Sequence, residues 1–201
     1  MCKKIEQGKM KASLVNFSVA VLIKNGIIKR EDEELYTFGI NQLYAFVSNI
    51  VISIIIGIFF GMVWESIVFS VAYIPLRRYA GGYHAKTPGR CFYLSILLVI
   101  LALIGIKYIS INDVSIFVLL VVNIFIWIKA PVASKNKALN KNEQYTFKKR
   151  TLLFLLIENM ILMGCMVMSF HDVFKCIMMT VIAVGIMLLL GIIHLPAIKK
   201  S

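Results

Sequence analysis

The chain has 201 residues, 60% of them hydrophobic, a mean hydropathy of +0.85 and a formal net charge of +12. Soluble domains hold roughly 45–50% apolar residues, and several apolar runs here approach the roughly 20 residues that cross a hydrocarbon core, so an ordinary soluble domain is excluded. The positive charge is dispersed among the stretches between apolar runs, which makes nucleic-acid binding a poor explanation of it and the anionic cytoplasmic face of a membrane a good one.

The first 40 residues are polar and basic with an apolar component. Met10, Leu14, Phe17 and Val21 recur at spacings of three or four, with Val15, Val19 and Leu22 beside them. This pattern predicts an amphipathic helix lying in the membrane interface. No cleavable signal peptide is expected, because Asn16 and Lys24 break the apolar part and no small-residue cleavage site follows. The acidic run Glu31–Glu34 precedes the first long apolar segment. It reads either as a helix start favoured by the dipole or as a docking surface for a basic part of a substrate.

Six apolar segments follow, at about Gln42–Met62, Val63–Leu76, Cys91–Ile109, Val114–Ile128, Thr151–Phe170 and Val173–Leu195. The second is short: at 1.5 Å per residue it makes about 21 Å, against roughly 30 Å of hydrocarbon. Seven Lys and Arg precede the first segment, four lie in 77–90 and seven in 129–150, whereas residues 61–63 carry no charge and 110–113 only Asp113. Basic and nearly uncharged connections thus alternate, and the positive-inside rule places both termini, the 77–91 loop and the 129–150 loop in the cytoplasm of a multi-pass cell-membrane protein. The expected fold is all-α: one membrane domain over 1–201, with an interfacial helical region to residue 40, a bundle over 41–195, and polar loops at 77–91 and 129–150. GIFFG at 57–61 is a GxxxG pattern that permits close helix approach.

The connection RRYAGGYHAKTPGRC at 77–91 gathers three Arg, one Lys, one of three His and one of four Cys. A thiol attacks as its thiolate, which nearby positive charge and a helix N-terminus favour. Cys91 has Arg90 beside it and opens the third segment, whereas Cys165 and Cys176 sit within apolar segments, where a thiol behaves as a small hydrophobe. His84 lies seven residues earlier. On a continuous helix the pair would be about 10 Å apart, but Gly81, Gly82, Pro88 and Gly89 favour a folded loop that can bring imidazole to sulfur as a base–nucleophile pair. Arg77 and the Gly81–Gly82 backbone are candidate oxyanion donors, and Arg78 is a candidate substrate contact. Glu65 and the intramembrane Glu158 are candidates to orient His84 or contact substrate. A lipid-headgroup-binding loop is the alternative. Neither CxxC nor HExxH spacing occurs, so no metal and no cofactor is expected. His171 and His194 read as structural, and Trp64, Tyr108 and Trp127 as an interfacial belt. The run at 140–150 reads as a topology-setting loop, or as a holder for an acidic substrate tail.

The pattern Arg77-Arg78-Tyr79-Ala80-Gly81-Gly82-Tyr83-His84, then six residues, then Cys91 resembles the signature of the accessory gene regulator B family, AgrB. The likeness extends over the chain in length, six apolar segments, a basic loop after the fourth and an amphipathic start. It implies a membrane cysteine endopeptidase that processes AgrD-type quorum-sensing peptide precursors. Cys91 would be the nucleophile and His84 the base, with Arg77 and Gly82 at sensitive positions, and the enzyme would be a homodimer in contact with membrane lipids. A peptide exporter and a non-catalytic membrane-binding module are the rival readings.

Overall fold

The computed structural model describes residues 15–83, 88–132 and 140–194. Among these the chain is helical throughout apart from short connections: α1 (Val15–Lys24), a 3-10 turn (Arg30–Asp32), α2 (Glu33–Phe60), α3 (Val63–Ala80), α4 (Pro88–Tyr108), α5 (Asp113–Lys129), α6 (Lys141–Met168) and α7 (His171–His194). Each of the six apolar segments is a helix, and no strand occurs among the described residues. Three helices, α2, α6 and α7, are long and apolar enough to cross a membrane, and the fold is that of an all-α membrane protein. The second segment is longer than its apolar run suggests: α3 continues through Arg77–Ala80, so its 18 residues reach about 27 Å.

The chain divides into two compact units, at residues 1–51 and 52–201. In the first, α1 ends in a Schellman turn: Gly26 has φ +67°, Ile27 N–H donates to Leu22 O and Gly26 N–H to Ile23 O, each at 3.0 Å. The turn folds α1 back so that Val15 and Val19 are buried with Ile28 against Ile40 and Tyr44. The inward stripe is therefore Val15–Val19–Leu22, while Phe17 and Val21 are exposed; Met10 and Leu14 lie outside the described residues. Around the acidic run, Arg30, Glu31, Glu33 and Glu34 line an open cleft with Asn16, Thr37, Phe38 and Asn41.

In the second unit, α7 is central and touches α3, α4, α5 and α6. A helix apolar on nearly every side is stable only when surrounded, and between His171 and His194 α7 carries only Asp172 and Lys175 as charged residues, both near its start. Its flanks join two apolar clusters, one with α3, α5 and α6 and one with α3 and α4. On α6 the buried residues Thr151, Leu155, Glu158, Leu162 and Cys165 recur at alternating spacings of four and three, the seam of a helix packed along its length. Asn159 Nδ2 donates to Asn123 Oδ1 at 2.8 Å and ties α6 to α5. Asn112 caps α5 in a reciprocal box with Ser115, and Ser169, at φ 59°, closes α6 before α7 begins.

The GxxxG pattern separates into two roles. Gly57 lets α3 approach, since a Cβ there would stand 2.8 Å from Ser66 Cβ, and Ser66 Oγ donates to Ser53 O at 2.6 Å across the same contact. Gly61 instead turns the chain, with φ +66° and open space around it. Gly57→Ala is expected to destabilise the protein by about 1–3 kcal/mol through overpacking. Gly164→Ala, where nothing lies within 4 Å of the added Cβ, should be neutral or slightly stabilising. Thermal unfolding of the two variants in one detergent checks this; equal midpoints would show that α2 and α3 do not need the glycine.

Candidate active site

The motif segment is built from the end of α3. Arg77 and Arg78 occupy the last turn, Ala80 is fully buried, and Gly81 ends the helix at φ +73°. Gly82 follows at φ +114° and is also buried. Both positive φ values favour glycine, and both positions are crowded as well. A Cβ on Gly81 would run into Val132 O, and one on Gly82 would lie 2.6 Å from Met187 O. The chain passes between the residues after α5 and the last turns of α7, where no side chain fits.

Hydrogen bonds hold it there. Val132 N–H donates to Ala80 O at 3.0 Å, and Gly82 N–H donates to Val132 O at 3.3 Å, so Gly81 and Val132 form an isolated parallel bridge. Val132 follows Pro131, which is joined to Ala130 by a cis peptide. Tyr83 N–H donates to Met187 O at 2.9 Å. Arg77 turns back over its own helix end, Nη1 donating to Gly81 O and Nη2 to Tyr83 O, the latter at 2.5 Å. A guanidinium presents several donors in a rigid fork, and here two of them bind carbonyls two residues apart, those of Gly81 and Tyr83. Gly81 N–H donates to Arg77 O at 3.3 Å. The groups considered as oxyanion donors on sequence grounds, the Arg77 fork and the Gly81 and Gly82 amides, thus bind backbone carbonyls and shape the segment.

Tyr79 anchors the same helix end to α6. Its ring stacks on Phe154 (5.6 Å, 8°) and meets Phe147 edge-on, Arg150 lies 5.2 Å from its centroid, and Arg150 Nη1 donates to its hydroxyl at 3.1 Å. Arg78 is exposed beside it. Next to Val132, an open pocket is lined by Ile128, Lys129, Ala130, Pro131, Gln144, Tyr145 and Lys148. Two ammonium groups face it, and Glu143 is the only acid between residues 129 and 150, so the pocket suits an anion.

His84 lies outside the described residues, as do Ala85, Lys86 and Thr87. Cys91 is the fourth residue of α4, whose first residue is Pro88, a position where proline fits because the helix needs no donor there. The structure brings Arg77, Gly81 and Gly82 together at one turn leading into His84. It does not bring Glu65 to them, since Glu65 is in the first turn of α3, about 18 Å along the helix from Arg77. Glu158 sits one turn beyond Phe154, about 6 Å further along α6, buried, and with Oε2 unpartnered among the described residues. Four contributors carried no sequence signal of their own. Val132, Met187 and Gly191 act through backbone, and a glycine in LLLGIIH looks like any glycine of a membrane helix. His194, in the last turn of α7, places its ring 5.0 Å from that of Tyr83.

Fold and site together define a helical membrane protein with a hydrogen-bonded, doubly glycine-dependent turn between its second and third apolar segments. The family model for Accessory gene regulator B, AgrB, matches residues 16–189, and the chain belongs to that family. Membership gives it a role in the agr quorum-sensing peptide system, with an AgrD-type precursor as partner. No curated protein and no solved structure matches the chain.

Proposed function

We propose that this protein is a membrane cysteine endopeptidase that removes the C-terminal tail of an AgrD-type precursor and supports ring closure of the signal peptide. The observation that carries the reading is the turn at 77–83. Arg77, Gly81 and Gly82, three positions of the family-like motif, meet in one immobilised segment whose next residue is His84, while Cys91 occupies the first turn of α4. The Cys91 thiolate attacks the carbonyl at the end of the future signal. The C–N bond breaks, and His84 gives the leaving amine the proton it took from the thiol. A thiol or hydroxyl within the precursor then attacks the thioester, closes a thiolactone or lactone and frees Cys91. Such an exchange is close to isoenergetic, so a site at the membrane interface that limits access of water protects the acyl-enzyme. Arg77, Gly81 and Gly82 support the segment, and Arg78 is a substrate contact. The catalytic segment 77–91 and the basic segment 129–150 lie on the cytoplasmic side of one membrane domain, and the enzyme works as a homodimer in the cell membrane.

The test is co-expression with the candidate precursor, followed by mass spectrometry of both chains. A thioester-linked precursor fragment on Cys91 is the expected result; tail removal with Cys91 never acylated would sink the reading. The lysine-lined pocket deepens it by offering a place for an acidic tail. Lys129→Glu/Lys148→Glu is expected to raise KM for the precursor about tenfold or more, through repulsion and the loss of two attractive charges, with kcat little changed. An unchanged KM in a concentration series would remove the pocket from substrate binding. The buried carboxyl of Glu158, whose Oε2 has no partner among the described residues, favours one second reading, a peptide exporter, in which Glu158 is required and Cys91 is not.

A further inference from the structure

We propose that His194 is a positioning residue for the reaction, acting through Tyr83 on His84, and that the end of α7 is the platform on which the catalytic segment is set. The inference rests on the endopeptidase reading given above. Tyr83 is held by three different groups: its N–H by Met187 O (2.9 Å), its carbonyl by Arg77 Nη2 (2.5 Å), and its ring by the ring of His194 (5.0 Å, edge-on at 69°). Two of the three come from α7. The His194 ring is itself fixed, because Nδ1 lies 3.1 Å from Leu190 O. A carbonyl only accepts, so Nδ1 carries the proton in that bond and the ring cannot swing without breaking it.

Gly191 makes the approach possible. A Cβ at that position would lie 2.7 Å from Gly82 Cα, Gly82 C and Tyr83 N. The gap in the helix surface admits the strand-like segment to Met187 O. A trans peptide link spans about 3.8 Å between Cα atoms, so the anchoring of Tyr83 fixes where the chain enters the residue that follows it. A misplacement of about 1 Å of a reacting group can lower a rate about a hundredfold.

The test uses the full-length protein with its precursor in membranes, measuring tail removal over a range of precursor concentrations. Thermal midpoints and Cys91→Ala are recorded in parallel. His194→Ala is expected to lower kcat about tenfold, with KM within about twofold, the scale of one lost aromatic pair. His194→Phe, which keeps a ring on Tyr83, should recover most of that loss. Tyr83→Ala should match His194→Ala, and the double variant should be no worse than either, because the two act as one contact. Wild-type kcat in His194→Ala would overturn the inference. So would equal loss in His194→Phe and His194→Ala, or losses that multiply in the double variant. Tail removal that survives Cys91→Ala would instead sink the endopeptidase reading, whereas removal that needs Cys91 and ignores His194 sinks only the positioning role.

Discussion

Cys91→Ala is expected to lower removal of the precursor tail by at least about a thousandfold, and His84→Ala to do nearly as much. A nucleophile and its base act as one unit, so the double variant should be no slower than Cys91→Ala alone. Gel analysis and mass spectrometry of the precursor, co-expressed with each variant at matched membrane abundance, give the comparison. The expectation has two legs: Cys91 is the fourth residue of α4 and follows Arg90 in sequence, a sequence setting of the kind that favours a thiolate, and the turn leading to His84 is hydrogen-bonded at Arg77, Gly82 and Tyr83. Cys91→Ser that cleaves at an undiminished rate would rule out the nucleophile. Normal tail removal in both alanine variants would leave a basic connection with coincidental residues. It would shift the weight to the exporter, which can be asked directly with Glu158→Ala.

Gly82→Ala is the second large effect, expected at a hundredfold or more in kcat from the addition of one methyl group. Two penalties coincide at this position. The backbone is at φ +114°, where an L side chain is strained, and the new Cβ would stand 2.6 Å from Met187 O, a helix carbonyl that cannot move without disturbing α7. The segment must therefore lift away from α7, which stretches the Tyr83–Met187 hydrogen bond and moves the backbone that leads into the next residue. The bundle itself depends on α7 packing with α3, α4, α5 and α6, so the protein should still insert and remain folded. A rate assay paired with a thermal-unfolding midpoint separates these effects. A Gly82→Ala protein with near-normal kcat would mean that the close approach to α7 is not needed for processing. Gly81→Ala should behave alike, because its Cβ would meet Val132 O, and the two variants together tell whether α5 or α7 sets the segment.

Much of the architecture was legible without coordinates, because burial in lipid imposes a long apolar run for each span. All six apolar segments are helices, and the shared features of Arg77, Gly81 and Gly82 stood out because charge and glycine pairs are rare between such runs. The helix ends were harder to read. α3 takes in Arg77–Ala80 and α6 begins at Lys141, since helices extend past the apolar run for as long as backbone bonds and caps allow. The inward face of α1 was also ambiguous. Two adjacent stripes were apolar, and only contact with Ile28, Ile40 and Tyr44 selected Val15–Val19–Leu22.

What the sequence determined by itself is the class, the order of apolar segments and basic connections, and the place where polar chemistry interrupts them. Those depend on composition and spacing along the chain, which any reader of the residues can count. What only the tertiary structure decided is what holds the turn. Arg77 became a clamp on Gly81 and Tyr83, Val132 and Met187 became its backbone partners, Gly191 the gap that admits it, and His194 the neighbour of Tyr83. The reason is physical: apart from the Arg77 clamp, which spans only 4 and 6 residues, these contacts join residues about 50 to 110 positions apart, mostly through carbonyls, amides and a missing side chain. Backbone groups are the same at every residue, and an absence of atoms acquires meaning only when another part of the chain occupies the space.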